Sequence, residues 1–318
     1  MRIPSTIAAR PGTAPLVRAP DDGPDDDPRS GTDGGTAGGA AGGAAGGAAA
    51  GTSLWWLGQA GFALRHRGTT LLIDPYLSDS LAEKYRGRLF PHARMHAPPV
   101  DPARLTGVDA VLHTHAHTDH MDPWTIRDLL RGNTPVFVAP RAEREQALRR
   151  GIPAGRLTGL TAGEHLVLGP DIEIHAVPAA HEELETDERG DHRFLGYVIR
   201  LGGLTLYHSG DCVPYPGQAE LLAGHGVDVA LLPVNGRDAH RLANGVPGNF
   251  TVREAARLCR EAGIPTLVCH HIGLFDFNTV DPRWAAEQLR THAAGLDWLL
   301  PDLAVPYELR HRTEGDRP

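Results

Sequence analysis

Ten residues, "HTHAHTDHMD" from His113 to Asp122, hold four histidines and two aspartates. Imidazole nitrogens and carboxylate oxygens are the donors that borderline divalent metals prefer. Within H-x-H-x-D-H, His115 and His117 fall on the same side of an extended chain, because side chains repeat every two residues. A turn directly afterwards swings Asp119 and His120 toward the same space. The plainer reading, a polar turn with one or two core histidines, accounts for a single such residue but not for this spacing at a strand end. Three further apolar runs end on suitable donors: "HAVPAAH" at His181, "LYHSGD" at Asp211, and "LVCHH" at His270 and His271. Together with the first cluster they provide donors for two adjacent metal ions. Such ions lower the pKa of a bound water and polarise a carbonyl or phosphoryl oxygen. Hydrolysis by a metal-activated water is therefore the expected chemistry, with Asp119 placed to bind metal and to orient the water or shuttle its proton. No G-x-S-x-G elbow is present to suggest a serine nucleophile.

Positioning these side chains requires particular elements. "GVDAVLHT" reads as a buried strand, and "DPWTIRDLLRGN" as a helix with Asp122 as N-cap and Pro123 at the first helical position. The histidine cluster thus lies on a strand-to-helix turn, where α/β proteins place their chemistry. Upstream, "SLWWLG", "GFALRH" and "TTLLIDP" are short strands broken by glycine, which predicts hairpins. A polar, proline-containing connection from about Leu77 to Asp101 is too long for a plain turn and is a candidate active-site loop. Strands and helices then alternate through "PVFVAP", "RAEREQALRRG", "HLVLG", "IEIHAVPA", "FLGYVIRLGG", "LTLYHSGD", a helix near 217–224, "DVALLPV", "TVREAARLCREAG", "TLVCHH", "DPRWAAEQLRTHAAG" and a strand near 303–308. Hairpins followed by helical crossovers, twice over, predict two sheets between layers of helix.

Composition bounds the rest. Residues 1–51 include "DDGPDDDPRSGTDGGTAGGAAGGAAGGAAAG", with almost no large apolar side chains, and are expected to form a disordered tail. Residues 52–310 suit one large α/β domain, and 311–318 a flexible C-terminus. The first residues lack the apolar core of a secretory signal, and no segment is long enough to span a bilayer. Cys212, Cys259 and Cys269 have no paired spacing, so a reducing, cytoplasmic compartment is expected. Net charge is −8, and Lys84 is the sole lysine. No dense basic stripe appears, so nucleic acid is not an expected partner. A small-molecule substrate is, and homo-oligomerisation stays open.

The motifs "WWLGQAGF", "LLIDPY", "THAHTDH", "DIEIHAVPA", "YHSGD", "DVALLPV" and "CHHIG", spread over residues 52–310, resemble the metallo-β-lactamase superfamily. Within it they are most similar to the L-ascorbate-6-phosphate lactonase group and related metal-dependent hydrolases. The resemblance implies an αββα sandwich and two divalent metal ions per chain, zinc or manganese, with iron compatible. It also implies a ligand partition: His115, His117 and His181 on one metal; Asp119, His120 and His270 on the other; Asp211 bridging. His271 is then left close behind the ligands or facing substrate. The loop "NGRDAHRLANGVPGNFT" lies near substrate in the lactonase group, which nominates Arg237, His240, Arg241 and Asn249, an arginine pairing with a phosphate or carboxylate. The implied substrate is a lactone or ester of a small phosphorylated or acidic metabolite. A phosphodiesterase of the superfamily, an iron-dependent oxygen-using member and a non-catalytic binding protein are the alternatives. His113, His175 and His208 are expected as core or ligand-orienting histidines, and Cys212 and Cys269 as small buried hydrophobes.

Overall fold

Along residues 52–73 the apolar side chains divide by parity. Leu54, Trp56, Phe62, Leu64, Leu71 and Ile73 enter one hydrophobic cluster, whereas Trp55, Leu57, Ala63 and Leu72 enter another. A sheet buried on both faces has this pattern, because successive side chains of a strand point to opposite sides. The computed structural model describes residues 7–9 and 51–310 and shows two such sheets.

The chain lays down β1 (Ile7–Ala9), β2 (Thr52–Gly58), β3 (Gly61–His66), β4 (Thr69–Ile73), β5 (Ala110–Leu112), β6 (Val136–Pro140) and β7 (Leu157–Leu160). It then builds a second sheet from β8 (His165–Gly169), β9 (Ile172–Pro178), β10 (Leu195–Leu201), β11 (Leu204–His208), β12 (Val229–Pro233), β13 (Thr266–His270) and β14 (Asp297–Leu299). Finally β15 (Pro306–Leu309) returns to the first sheet, between β1 and β2. Strands β2, β3 and β4 form the expected antiparallel hairpins, while β4–β7 and β11–β14 run parallel.

Among the described residues seven α-helices accompany them: α1 (Ser80–Lys84), α2 (Pro123–Leu129), α3 (Arg144–Arg149), α4 (Gln218–His225), α5 (Ala239–Ala243), α6 (Val252–Glu261) and α7 (Pro282–His292). Ile126 and Leu129 of α2 and Ala147 of α3 pack on the first sheet. Leu222 of α4, five residues of α6, and Ala285 and Leu289 of α7 join the larger cluster, which also fills the space between the sheets. The result is the four-layer arrangement of two mixed sheets flanked by helices. None of the helices among the described residues is long and apolar enough to cross a membrane.

Helix starts follow the sequence closely. Asp122 accepts from the backbone N–H of Trp124 and Thr125, and Pro123 follows it. Such a cap stabilises by about 1 kcal/mol. Asp122 also accepts from Ser78 Oγ at 2.6 Å and Ser80 Oγ at 2.7 Å, which ties the long 77–101 connection to the histidine turn. Thr251 and Glu254 form a capping box at α6.

Residues 7–9, within the segment expected to form a disordered tail, pair antiparallel with Leu309–Tyr307 as β1. A sheet edge offers unpaired backbone groups to any short segment, whatever its side chains. The remainder of the expected tail (residues 1–6 and 10–50) and the C-terminal 311–318 lie outside the described residues.

Candidate metal centre

Strand C-terminal ends deliver the candidate ligands. The parallel strands β5, β11 and β13 run into His113–His120, Asp211, and His270 and His271, and the antiparallel strand β9 runs into His181. Two groups of donor atoms result, each with all its atoms within 4.8 Å of one another: His115, His117 and His181, then Asp119, His120, Asp211 and His271. Asp211 Oδ2 lies 3.3 Å from His120 Nε2, 3.2 Å from His271 Nε2 and 4.0 Å from His181 Nε2, so it reaches both groups.

The second group differs from expectation at one position: His271 joins it, and His270 does not. His270 is the last residue of β13 and turns inward, stacking on His208 at 5.0 Å and meeting Phe62 edge-on at 5.5 Å. His271 leaves the strand with a left-handed φ of 62°. Its backbone N–H donates to Gln59 O at 3.0 Å, and its ring is thereby aimed at Asp211. Burial holds the His270 imidazole well below its usual range, assisted by His208 and His271.

Asp74, just past β4, organises the ligands from behind. Its Oδ1 accepts from the Thr114 N–H at 2.8 Å, and its Oδ2 accepts from Thr114 Oγ1 at 2.6 Å. Because the Thr114 hydroxyl spends its proton on Asp74, it can only accept from His115 Nδ1, 3.0 Å away. His120 Nδ1 lies 2.7 Å from Asp74 Oδ2 and likewise donates. One buried carboxylate thus fixes two imidazoles with their Nε2 lone pairs facing the site, the arrangement typical behind metal-bound histidines. Gly210 permits it: at φ +62° a Cβ there would lie 2.7 Å from Thr114 Cβ.

These donors fit a metal. His115 Nε2, His120 Nε2 and Asp211 Oδ1 are buried without a hydrogen-bond partner among the described residues, a costly state for polar atoms unless something else engages them. Burial pushes His181 down to about 3 and His115 well below its usual range, the neighbouring histidines adding to both, so both are neutral donors. For His120, burial is outweighed by Asp211, Asp74 and Asp119, which raise it well above the usual range. Asp211 is held well below its usual range, against burial, by His271 and His120.

Gln59, at the β2–β3 turn, completes the surroundings. Its Nε2 donates to Asp119 Oδ2 at 2.9 Å and lies 3.0 Å from His271 Nε2. Its backbone carbonyl accepts from Trp56 Nε1 as well as from His271. On the opposite side Arg150, beyond α3, donates to the His117 and Met121 carbonyls. A cavity of about 160 Å³ opens over the donors, bordered by Asp119, His117, His181 and Asp211 together with Lys84 and Arg150.

The polar loop after β12 behaves differently from expectation. Arg237 forms a two-pronged ion pair with Glu254 and donates to Asn249 O. Arg241 is buried against Asp238, Asn278 and the Asn235 carbonyl. Asn249 bonds the Cys212 N–H and Asn235. These three are consumed inside the loop, because an isolated cation or amide there would be left unpaired. His240 lies edge-on to Phe90, 6.0 Å away. It is Gly245, Val246 and Pro247 that reach the cavity.

Among the remaining expectations, His113 is buried on Phe137 with Nδ1 2.7 Å from His120 O. His208 bridges the Ala60 carbonyl and the Gly210 N–H. His175 pairs with Glu173 at the surface rather than in the core. Cys212, Cys259 and Cys269 are buried free thiols, which burial makes harder to ionise.

Comparison with known proteins gives a consistent picture. The sequence profile described as "Beta-lactamase superfamily domain" matches residues 69–272. A "UPF0173 metal-dependent hydrolase" of Opitutus terrae is 32% identical over 246 residues, covering 75% of this chain and 92% of the relative. A "Probable L-ascorbate-6-phosphate lactonase UlaG" of Escherichia coli is 29% identical over 209 residues, 56% of this chain and 59% of that protein. In fold, a possible metal-dependent hydrolase from Veillonella parvula superposes with a TM-score of 0.64 at 19% identity, over 81% of this chain and 99% of the other.

Proposed function

The chain belongs to the beta-lactamase superfamily domain family and is a metal-dependent hydrolase, and we propose that it opens a lactone or ester of a small acidic metabolite. The observation that carries this reading is the pair of converging donor groups at the floor of one small cavity. His115, His117 and His181 would hold one divalent ion; Asp119, His120 and His271 a second; Asp211 would bridge them. The metals supply Lewis-acid polarisation of the scissile carbonyl and acidify the attacking water. Within the chain, Asp119 borders the cavity with its carboxylate held low, burial being outweighed by His120 and then His271. It is therefore ionised, and its place at the cavity is what would let it receive the water's proton and return it to the leaving oxygen as the acyl C–O bond breaks. Gln59 fixes the Asp119 carboxylate by donating to Oδ2, and the network from Asp74 fixes His115 and His120.

Acidity of the substrate is supported by Lys84 and Arg150 at the cavity margin. The likeness to the UlaG protein points the same way but covers little more than half of either chain.

The test is elemental analysis of protein purified without added metal, together with turnover of a panel of lactones, esters and phosphodiesters. About two equivalents of zinc or manganese with lactone or ester turnover, lost in Asp119→Asn, supports the reading. Iron with oxygen consumption, or turnover confined to phosphodiesters, overturns it.

A further inference from the structure

The 160 Å³ cavity over the metal donors adjoins an outer chamber of about 600 Å³, nearly four times larger. The two share Lys84, Tyr85, His92, Gly245 and Val246, so they lie side by side at one end of the site. A compact sugar acid would fill only the inner part. We propose that the substrate carries a flat, apolar arm bearing an anionic group, and that the outer chamber is its subsite. This inference rests on the hydrolase reading above, since it concerns the same opening.

Charge is the first argument. The chain has 39 acidic residues against 31 arginines and lysines, yet no acidic residue borders the outer chamber. Two cations do, Lys84 and Arg88, and neither has a carboxylate partner among the described residues. Their neighbour Glu83 is engaged by Arg86 instead. Lys84, the only lysine of the sequence, ends helix α1 on the 77–101 connection and lies 4.9 Å from the Tyr85 ring centroid. Against a net negative protein, two unneutralised cations at a cleft attract and select anions.

Shape is the second. Tyr85 stacks on His92 with centroids 4.3 Å apart, and Phe90 stacks on Phe277 at 4.6 Å. His92 stands edge-on to Phe277 at 4.7 Å and to Phe275 at 5.1 Å, joining the stacks into one aromatic ledge. Burial lowers the His92 pKa, so the ledge is neutral. Beside it Leu89 is 67% exposed, apolar surface that a flat ligand would cover with a gain in free energy. Cations at the rim and an aromatic floor together describe an amphipathic anion, such as an ester or lactone whose aryl arm bears a free carboxylate or sulfonate.

The experiment is calorimetric titration of the metal-loaded, full-length protein with naphthalene-2-sulfonate and with neutral naphthalene-2-sulfonamide, its near-isostere. Saturable one-to-one binding of the sulfonate is expected, at least about tenfold tighter than the sulfonamide and weakening with added salt. The Lys84→Ala/Arg88→Ala double variant should lose that preference, and Lys84→Arg should retain it. Both residues are exposed, so matching circular dichroism and melting curves will show that the variants fold. Equal affinity for the two probes, or a preference untouched by the double variant, overturns the proposal. Metal content and turnover in the same preparation report separately on the hydrolase reading: that reading fails on absent metal or turnover even where the sulfonate preference holds.

Discussion

Asp74 is the residue whose replacement tests the architecture of the centre most directly. In Asp74→Asn the side chain keeps its size but loses one acceptor. If the amide nitrogen takes the Oδ1 place, it faces the Thr114 backbone N–H, a donor that cannot invert. If it takes the Oδ2 place, it faces Thr114 Oγ1 and His120 Nδ1. The hydroxyl can rotate to accept, but His120 must move its proton to Nε2, the nitrogen that faces the site. Hydrogen bonds to a charged group contribute about 1.5–3 kcal/mol, and 1.4 kcal/mol is about tenfold in an equilibrium constant. Metal affinity at the Asp119, His120, Asp211 and His271 group should therefore fall by about 10- to 100-fold, in line with other ligand-orienting partners. Competition against a chromogenic chelator measures this, with thermal unfolding as the check on folding. Imidazole proton resonances of the metal-loaded protein should show a downfield Nδ1–H signal in the wild type that vanishes in the variant. Loss of that signal with unchanged metal affinity and stoichiometry would refute the reasoning.

Other perturbations separate residues that look alike in sequence. His271→Ala should remove about one equivalent of metal, whereas His270→Ala, which vacates packing against Phe62 and His208, should lower the melting temperature and leave stoichiometry intact; elemental analysis of both distinguishes them. Gln59→Leu deletes the donor to Asp119 Oδ2 but leaves the backbone contacts to Trp56 and His271, so metal affinity should fall several-fold, about 1 kcal/mol, with little change in stability by denaturant titration. Glu254→Gln should destabilise by about 1–2 kcal/mol at pH 7, discounted for partial exposure. The Glu254 carboxyl is held down to about 2, burial being outweighed by Arg237 and Thr251. Its contribution is thus present above about pH 4.5 and fades as pH falls toward 2; a wild-type-to-variant gap that stays constant across that window would contradict the assignment.

The local features legible in the sequence are those whose cause lies within a few residues. The H-x-H-x-D-H run, the Asp122 cap with Pro123, and the Thr251–Glu254 capping box all depend on short-range geometry, and the structure places these side chains accordingly. The parity of apolar residues in β2, β3 and β4 announces a sheet covered on both faces for the same reason. Adjacent His270 and His271 show where this reasoning ends. Strand parity says that one of them faces the core, but which one depends on where β13 stops. That point is set by the His271 N–H bond to Gln59, a residue 212 positions away.

The residues that went unnoticed share that property. Asp74 sits in "LLIDPY", where an aspartate before proline reads as an ordinary turn; only the fold brings Thr114 and His120 onto it from 40 and 46 positions away. Arg237 and Arg241 attracted a functional reading because a polar loop with arginines resembles an anion site. In the folded loop the guanidinium groups meet Glu254, Asp238 and Asn278, and a cation already paired has little left to offer a substrate. Lys84 and Arg88 give the converse case: nothing in "LAEKYRGRLF" marks them, and their interest arises from having no carboxylate partner among the described residues. Metal ligands are recognisable because they must be present and closely spaced. A substrate-binding cation has to be left unpaired, and that depends on every other chain segment that passes it. The candidate donors could therefore be picked out of the sequence, save the choice between His270 and His271, and the cations beside the cavity could not.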